Sequence, residues 1–197
     1  MEKSFSPHRL KLLNFYSDTY QYQDYLEIGL ARGECISSVK CRNKTGVDPD
    51  ISRLHKIPAD IEIFEMTSDT FFQINKKKFD LIFIDGSHRK DDFINDVICS
   101  LEILKPEGTI ICHDVSPPSE AHQKTDLSAC GHVWKGWIHF RQTMHNIKMQ
   151  VVDSDNGCGI INPGKQELLS KHIGELNWEN LQKYKKEWLN IIESPIK

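Results

Sequence analysis

Asp85 and His88 stand three residues apart at the end of an apolar run, Phe79-Asp80-Leu81-Ile82-Phe83-Ile84, and His113-Asp114 follow a second run, Thr109 to Cys112. A carboxylate and an imidazole at that spacing suit proton transfer, because an unperturbed histidine titrates near neutrality. In a chain with nine histidines, His88 also admits a structural reading. Asp85 and Asp114, converging from neighbouring strand ends, allow two chemistries. One is a hard-cation site, since Mg²⁺ takes one or two carboxylates and keeps waters or substrate oxygens. The other is a carboxyl pair in which one member has a raised pKa.

A second constellation lies upstream, in Tyr25-Leu26-Glu27-Ile28-Gly29-Leu30-Ala31-Arg32-Gly33. A short buried strand runs into a turn whose glycines stand four apart, with a helix expected behind it. Gly29 permits the tight turn and a close ligand approach to the main chain. Gly33 suits the start of the helix or its packing against the sheet. Glu27 would repel a pyrophosphate but suits an amino group or a sulfonium, which points to S-adenosylmethionine, with contacts expected at Glu27, Gly29, Leu30, Ala31 and Gly33. Asp48 ends the next strand, 21 residues after Glu27. In doubly wound folds an acid at that place hydrogen-bonds ribose hydroxyls; the plainer reading is a solvated loop aspartate before Pro49.

Strands must deliver these groups to one edge. Strand patterns at 25–28, 45–48, 61–65, 79–84 and 109–112 alternate with helical ones at 34–39, 51–56, 69–74 and 91–104, with Ser68 a candidate N-cap. The near-continuous apolar run at 79–84 reads as a central parallel strand covered on both faces. Residues 7–21 predict a helix over one edge of the sheet, within an N-terminal cover segment 1–23. The polar stretch 115–132 has no period and reads as a lid, a binding loop or a disordered segment. Trp134 and Trp137, in a helix predicted over 131–144, serve either the core or an acceptor pocket. Asn156-Gly157 marks the turn of a hairpin, 149–152 with 159–161. A helix over 176–193 places its tryptophans for core packing or for contacts in a homo-oligomer. The expected fold is α/β and Rossmann-like, a single domain over 1–197.

Composition narrows the function. A formal charge of −3 gives no electrostatic case for nucleic acid, and Lys76-Lys77-Lys78 reads as a solvated loop. No apolar stretch reaches the roughly 20 residues of a membrane span, and Met1 to Phe5 lacks a signal peptide's apolar core. Six scattered cysteines without a C-x-x-C pair point to free thiols in a reducing cytoplasm.

The ordered set of motifs resembles the class I S-adenosylmethionine-dependent methyltransferases, over about residues 24–164. Glu27 to Gly33 resembles the family's first motif, with Ala31 where many members carry glycine. Asp48 matches the ribose-binding acid, and Ser68-Asp69 falls where the adenine amino group is met. Phe79 to His88 matches the fourth motif, and Leu104 to Thr109 the turn before the fifth strand. Ile84-Asp85-Gly86-Ser87-His88 with His113-Asp114 is similar to the macrolide-sugar and catechol O-methyltransferases. That likeness implies a Mg²⁺ at Asp85 and Asp114, with His88 as base. His113 stands where those relatives supply an oxygen ligand. The Val133-Trp134-Lys135 segment resembles members from polysaccharide gene clusters.

The resemblance implies a seven-stranded sheet of order 3-2-1-4-5-7-6 and methyl transfer to a small-molecule hydroxyl, a sugar or related metabolite, with the lid closing over it. Two rivals stand beside it. A nicotinamide oxidoreductase would want G-x-G-x-x-G at the first turn, which this chain lacks. A non-catalytic S-adenosylmethionine-binding scaffold would keep the cofactor residues and show no turnover.

Overall fold

The computed structural model describes residues 7–126 and 129–196. Among them the elements run α1 (Pro7–Tyr20), β1 (Asp24–Ile28), α2 (Glu34–Ser38), β2 (Asn43–Asp48), β3 (Glu62–Glu65), α3 (Ser68–Ile74), β4 (Phe79–Ile84), α4 (Lys90–Ile103), β5 (Leu104–Cys112), α5 (Val133–Thr143), β6 (Ile147–Val152), β7 (Cys158–Pro163), α6 (Trp178–Leu189) and β8 (Ile191–Ile192). The sheet order is β3-β2-β1-β4-β5-β7-β6-β8. The pairs β2/β3, β1/β2, β1/β4 and β4/β5 are parallel, while β7 runs antiparallel to β5 and β6.

The sheet is buried on both faces, as the run at β4 demands. Ile82 and Ile84, with Leu26, Ile28, Ile110 and Cys112, pack against Phe93 and Val97 of α4 and Trp134 and Trp137 of α5. The alternate residues Leu81, Phe83, Tyr25 and Ile111 meet Leu12 and Leu13 of α1 and Cys35 and Ile36 of α2. Period-2 alternation sends successive side chains to opposite faces, so both sets must be apolar. Trp134 and Trp137 are fully buried, so the core reading of that segment holds.

Four expectations need correction. The sheet has eight strands rather than seven among the described residues. The C-terminal helix stops at Leu189, because Asn190 adopts the left-handed conformation (φ 56°) that ends helices. The β-branched Ile191 and Ile192 then pair in parallel with β6. The N-terminal helix lies over a face of the sheet, not its edge, since Leu12 and Leu13 share one cluster with central-strand residues; residues 1–6 of the cover segment lie outside the described residues. Finally, Thr67 rather than Ser68 caps α3, accepting from the Thr70 amide at 3.3 Å.

Candidate active site

Parallel strands β1 to β5 all end at one edge, and a cleft of about 1240 Å³ runs along it. That exceeds a single drug-sized ligand pocket of roughly 300–1,000 Å³, leaving room for a cofactor and an acceptor together. Its lining includes Gly29, Ala31, Asp48, Ser68, Asp69, Asp85, His88, His113 and Asp114. These groups come from the ends of β1, β2, β3, β4 and β5, the position where open α/β sheets bind ligands.

At the first turn, Gly29 has φ +85°, and a Cβ there would lie 2.2 Å from the Asp85 carbonyl oxygen. The loops after β1 and β4 therefore touch backbone to backbone, which only glycine permits. Asp48 holds the same turn from below: its Oδ2 accepts the Leu30 amide at 2.8 Å and its Oδ1 accepts the Asp50 amide at 2.9 Å. Three expected cofactor contacts stand back from the cleft lining. Leu30 is buried in the core, Gly33 precedes α2 in the left-handed region, and Glu27 is buried beneath the floor. The Tyr25 hydroxyl donates to Glu27 Oε2 at 2.5 Å. Burial pushes the Glu27 carboxyl up to about 8, so at neutral pH it is largely a neutral acid.

Asp96 was not singled out in the sequence. It lines the cleft from α4, and burial raises its carboxyl to about 7. Its place on the inner face of α4, among Phe93, Val97 and Ser100, is the signal that would have found it.

The acid–base cluster sits at the ends of β4 and β5. His113 Nδ1 donates to Asp85 Oδ1 at 3.1 Å and lies 3.3 Å from Asp114 Oδ1, while its Nε2 lies 3.5 Å from Asp155 Oδ1. Burial opposes charge on His113, but the carboxylates of Asp85 and Asp114 outweigh it and hold the ring protonated. In return, against the upward push of burial, His113 holds Asp85 well below the carboxylate range and Asp114 at about 2. His88 Nε2 lies 3.2 Å from Asp114 Oδ2 and 3.9 Å from Asp85 Oδ1. Its pKa is raised because these acids overcome its burial.

Two members of the cluster were invisible to motif reading. Arg9 of α1 donates from Nη1 to Asp85 Oδ2 at 2.7 Å, from Nε to Asp155 Oδ2 at 2.9 Å and from Nη2 to Asp155 Oδ1 at 3.1 Å. Asp155 belongs to the hairpin turn that the Asn-Gly dipeptide marks, and both Asp155 and Asn156 have positive φ there. Because β7 runs antiparallel to β5, that turn arrives at the cleft edge.

The expected lid at 115–132 is pinned at both ends. Ser116 N donates to Asn156 O at 2.7 Å, and His132 N to His88 O at 2.8 Å. Its exposed part lies around a short 3₁₀ turn at Glu120–Gln123, and the Asp126 carbonyl lies 3.4 Å from His88 Nδ1. Residues 127 and 128 lie outside the described residues. Lys135 sits over the Trp134 ring at 5.3 Å and is not part of the cleft lining.

Comparison with known proteins shows the fold. A family model described as "Methyltransferase domain" matches residues 26–115. The chain is similar to the S-adenosylhomocysteine-bound methyltransferase PaMTH1 of Podospora anserina, with 16% identity, a TM-score of 0.66, and coverage of 83% of this chain and 81% of that one. It is similar to the O-methyltransferase TomG of Streptomyces achromogenes, solved with S-adenosylmethionine, with 14% identity, a TM-score of 0.64 and 82% of each chain covered. A Bacillus cereus O-methyltransferase in complex with S-adenosylhomocysteine is 18% identical, with a TM-score of 0.59 and 84% of each chain covered. No curated protein matches. The family model matches just under half of the chain, and the solved structures show that the chain shares their α/β, Rossmann-like fold.

Proposed function

We propose that the protein methylates a hydroxyl of a small molecule, a sugar or related metabolite, using S-adenosylmethionine. The observation that carries this reading is the single cleft joining Asp48, Ser68 and Asp69 to Asp85, His88 and Asp114. S-adenosylmethionine supplies the electrophile: its methyl–sulfur bond breaks as the acceptor's oxygen–carbon bond forms, leaving S-adenosylhomocysteine and a methyl ether. Asp48 receives the ribose hydroxyls, while Ser68 and Asp69 border the adenine. The Gly29-Leu30-Ala31 turn lets the methionine end lie against main chain. His88 Nε2 takes the acceptor proton, and Asp114 and Asp85 stabilise the resulting imidazolium. The segment over His88 limits water. Six scattered cysteines without a C-x-x-C pair agree with a reducing compartment such as the cytoplasm.

The motif also implies a divalent cation, which Asp85, His113 and Asp114 would hold and which would lower the hydroxyl's pKa. Their candidate ligand atoms lie within 4.8 Å of one another. The arrangement does not fit that role. Both Asp85 oxygens already accept from cationic donors.

The test is transfer of labelled methyl from S-adenosylmethionine to a panel of sugars and phenols. Label in a methyl ether, with far less in His88→Ala, is expected. Cofactor binding with no transfer to any acceptor would instead support the scaffold reading.

A further inference from the structure

We infer that Arg9 is the resident cation of the acidic cluster, occupying the place a divalent ion would take, so that α1 completes the site and methyl transfer runs without a bound metal. The metal-free methyl transfer rests on the methyltransferase reading; the cation assignment stands on geometry.

The guanidinium bridges two carboxylates that lie far apart in the sequence. Its Nη1 meets Asp85 at 2.7 Å at the end of β4, and its Nε and Nη2 meet both Asp155 oxygens at 2.9 and 3.1 Å in the β6–β7 turn. The paired contact with Asp155 is the fork geometry for which arginine is suited and a lysine is not. The Arg9 main-chain amide adds a further contact to Asp155 Oδ2 at 3.3 Å.

The helix fixes this cation in place. Leu12 and Leu13 lie three and four residues beyond Arg9, on the same side of α1, and both are wholly buried against the sheet. Withdrawing the guanidinium by moving α1 would expose that apolar anchor. Desolvation is already advanced, with Arg9 and Asp85 side chains only 13% and 19% exposed.

Charge accounts agree. Asp85 and Asp155 each contact both Arg9 and His113, Asp114 contacts His113, and the Asn156 amide donates to Asp114 Oδ1 at 3.0 Å. A divalent ion would have to displace a guanidinium that cannot lose its proton. With the metal's effect on the hydroxyl absent, proton removal falls to His88, and Arg9 acts as a positioning residue that holds Asp85 toward it.

Titration of Mn²⁺ into the full chain, followed by electron paramagnetic resonance, tests this. Wild-type protein is expected to bind Mn²⁺ no more tightly than millimolar, and Arg9→Met to gain at least roughly tenfold in affinity. Arg9→Lys, which keeps the charge, is expected to stay near wild type. Micromolar binding by wild type would overturn the assignment, and so would a folded Arg9→Met with no gain. If Arg9→Met does not fold, the wild-type titration decides. Calorimetry with S-adenosylhomocysteine on the same wild-type sample reports the methyltransferase reading separately. Its failure beside absent Mn²⁺ binding would sink that reading and leave the role of Arg9 standing.

Discussion

Asp48 Oδ2 accepts the Leu30 amide at 2.8 Å, so the carboxylate assigned to the ribose also fastens the glycine turn. Cofactor affinity and local stability are thus tied through one side chain. Asp48→Ala is expected to weaken S-adenosylhomocysteine binding roughly ten- to hundredfold and to cost about 1–2 kcal/mol of stability. Asp48→Asn can still accept the amide and should recover stability more than affinity. Calorimetry and thermal unfolding on both variants check this; equal loss of both quantities in Asp48→Asn would contradict it.

Glu27 gives a pH prediction through folding. Its carboxyl moves from 4.5 to about 8 in the folded protein, chiefly by burial. Between those values the folded state holds a proton that the unfolded state has released. The contribution is therefore fully present below about pH 4.5 and is lost as pH rises through about 8. The slope from this group reaches about 1.4 kcal/mol per pH unit. Glu27→Gln keeps an acceptor for Tyr25 and removes the titration. Urea unfolding at several pH values should show the variant gaining on wild type as pH rises; parallel curves would contradict the assignment.

His88 governs turnover. His88→Ala is expected to lower the rate about 10²–10⁴-fold while leaving S-adenosylhomocysteine affinity nearly unchanged. As a base it must be neutral, and its pKa is raised by Asp85 and Asp114 against the effect of burial. Activity should therefore rise with pH above the ordinary histidine range, near 6.5. A rate that is flat with pH through that range, or an unaffected variant, would remove the role.

Gly29→Ala tests the close approach of two loops. The added methyl would sit 2.2 Å from the Asp85 carbonyl oxygen at φ +85°. A loss of several kcal/mol, on the order of 2–4, and loss of cofactor binding are expected. Thermal unfolding with and without S-adenosylhomocysteine measures both, and a wild-type result would show that the turn can relax.

Local signals made the first seven strands legible along the chain, while their order in the sheet followed from the resemblance. The run at 79–84 fixed the centre, and Asn156-Gly157 fixed the closing hairpin. The eighth strand hid because Ile191 and Ile192 continue the apolar spacing of α6; only the left-handed Asn190 ends that helix. The strand-end acids and His88 were legible because each follows an apolar run at the cleft edge. Glu27 misled, since a carboxylate closing a strand looks the same in sequence whether it faces a ligand or Tyr25 beneath the floor. Arg9 and Asp155 left no trace, because 146 residues separate them and only tertiary packing joins them.

The most direct test is calorimetric titration of the purified wild-type protein with S-adenosylhomocysteine and, separately, with NAD. Micromolar binding of S-adenosylhomocysteine, lost or weakened in Asp48→Ala, with NAD silent, is the predicted result. No binding of S-adenosylhomocysteine, or a preference for NAD, would contradict the account and leave only the fold.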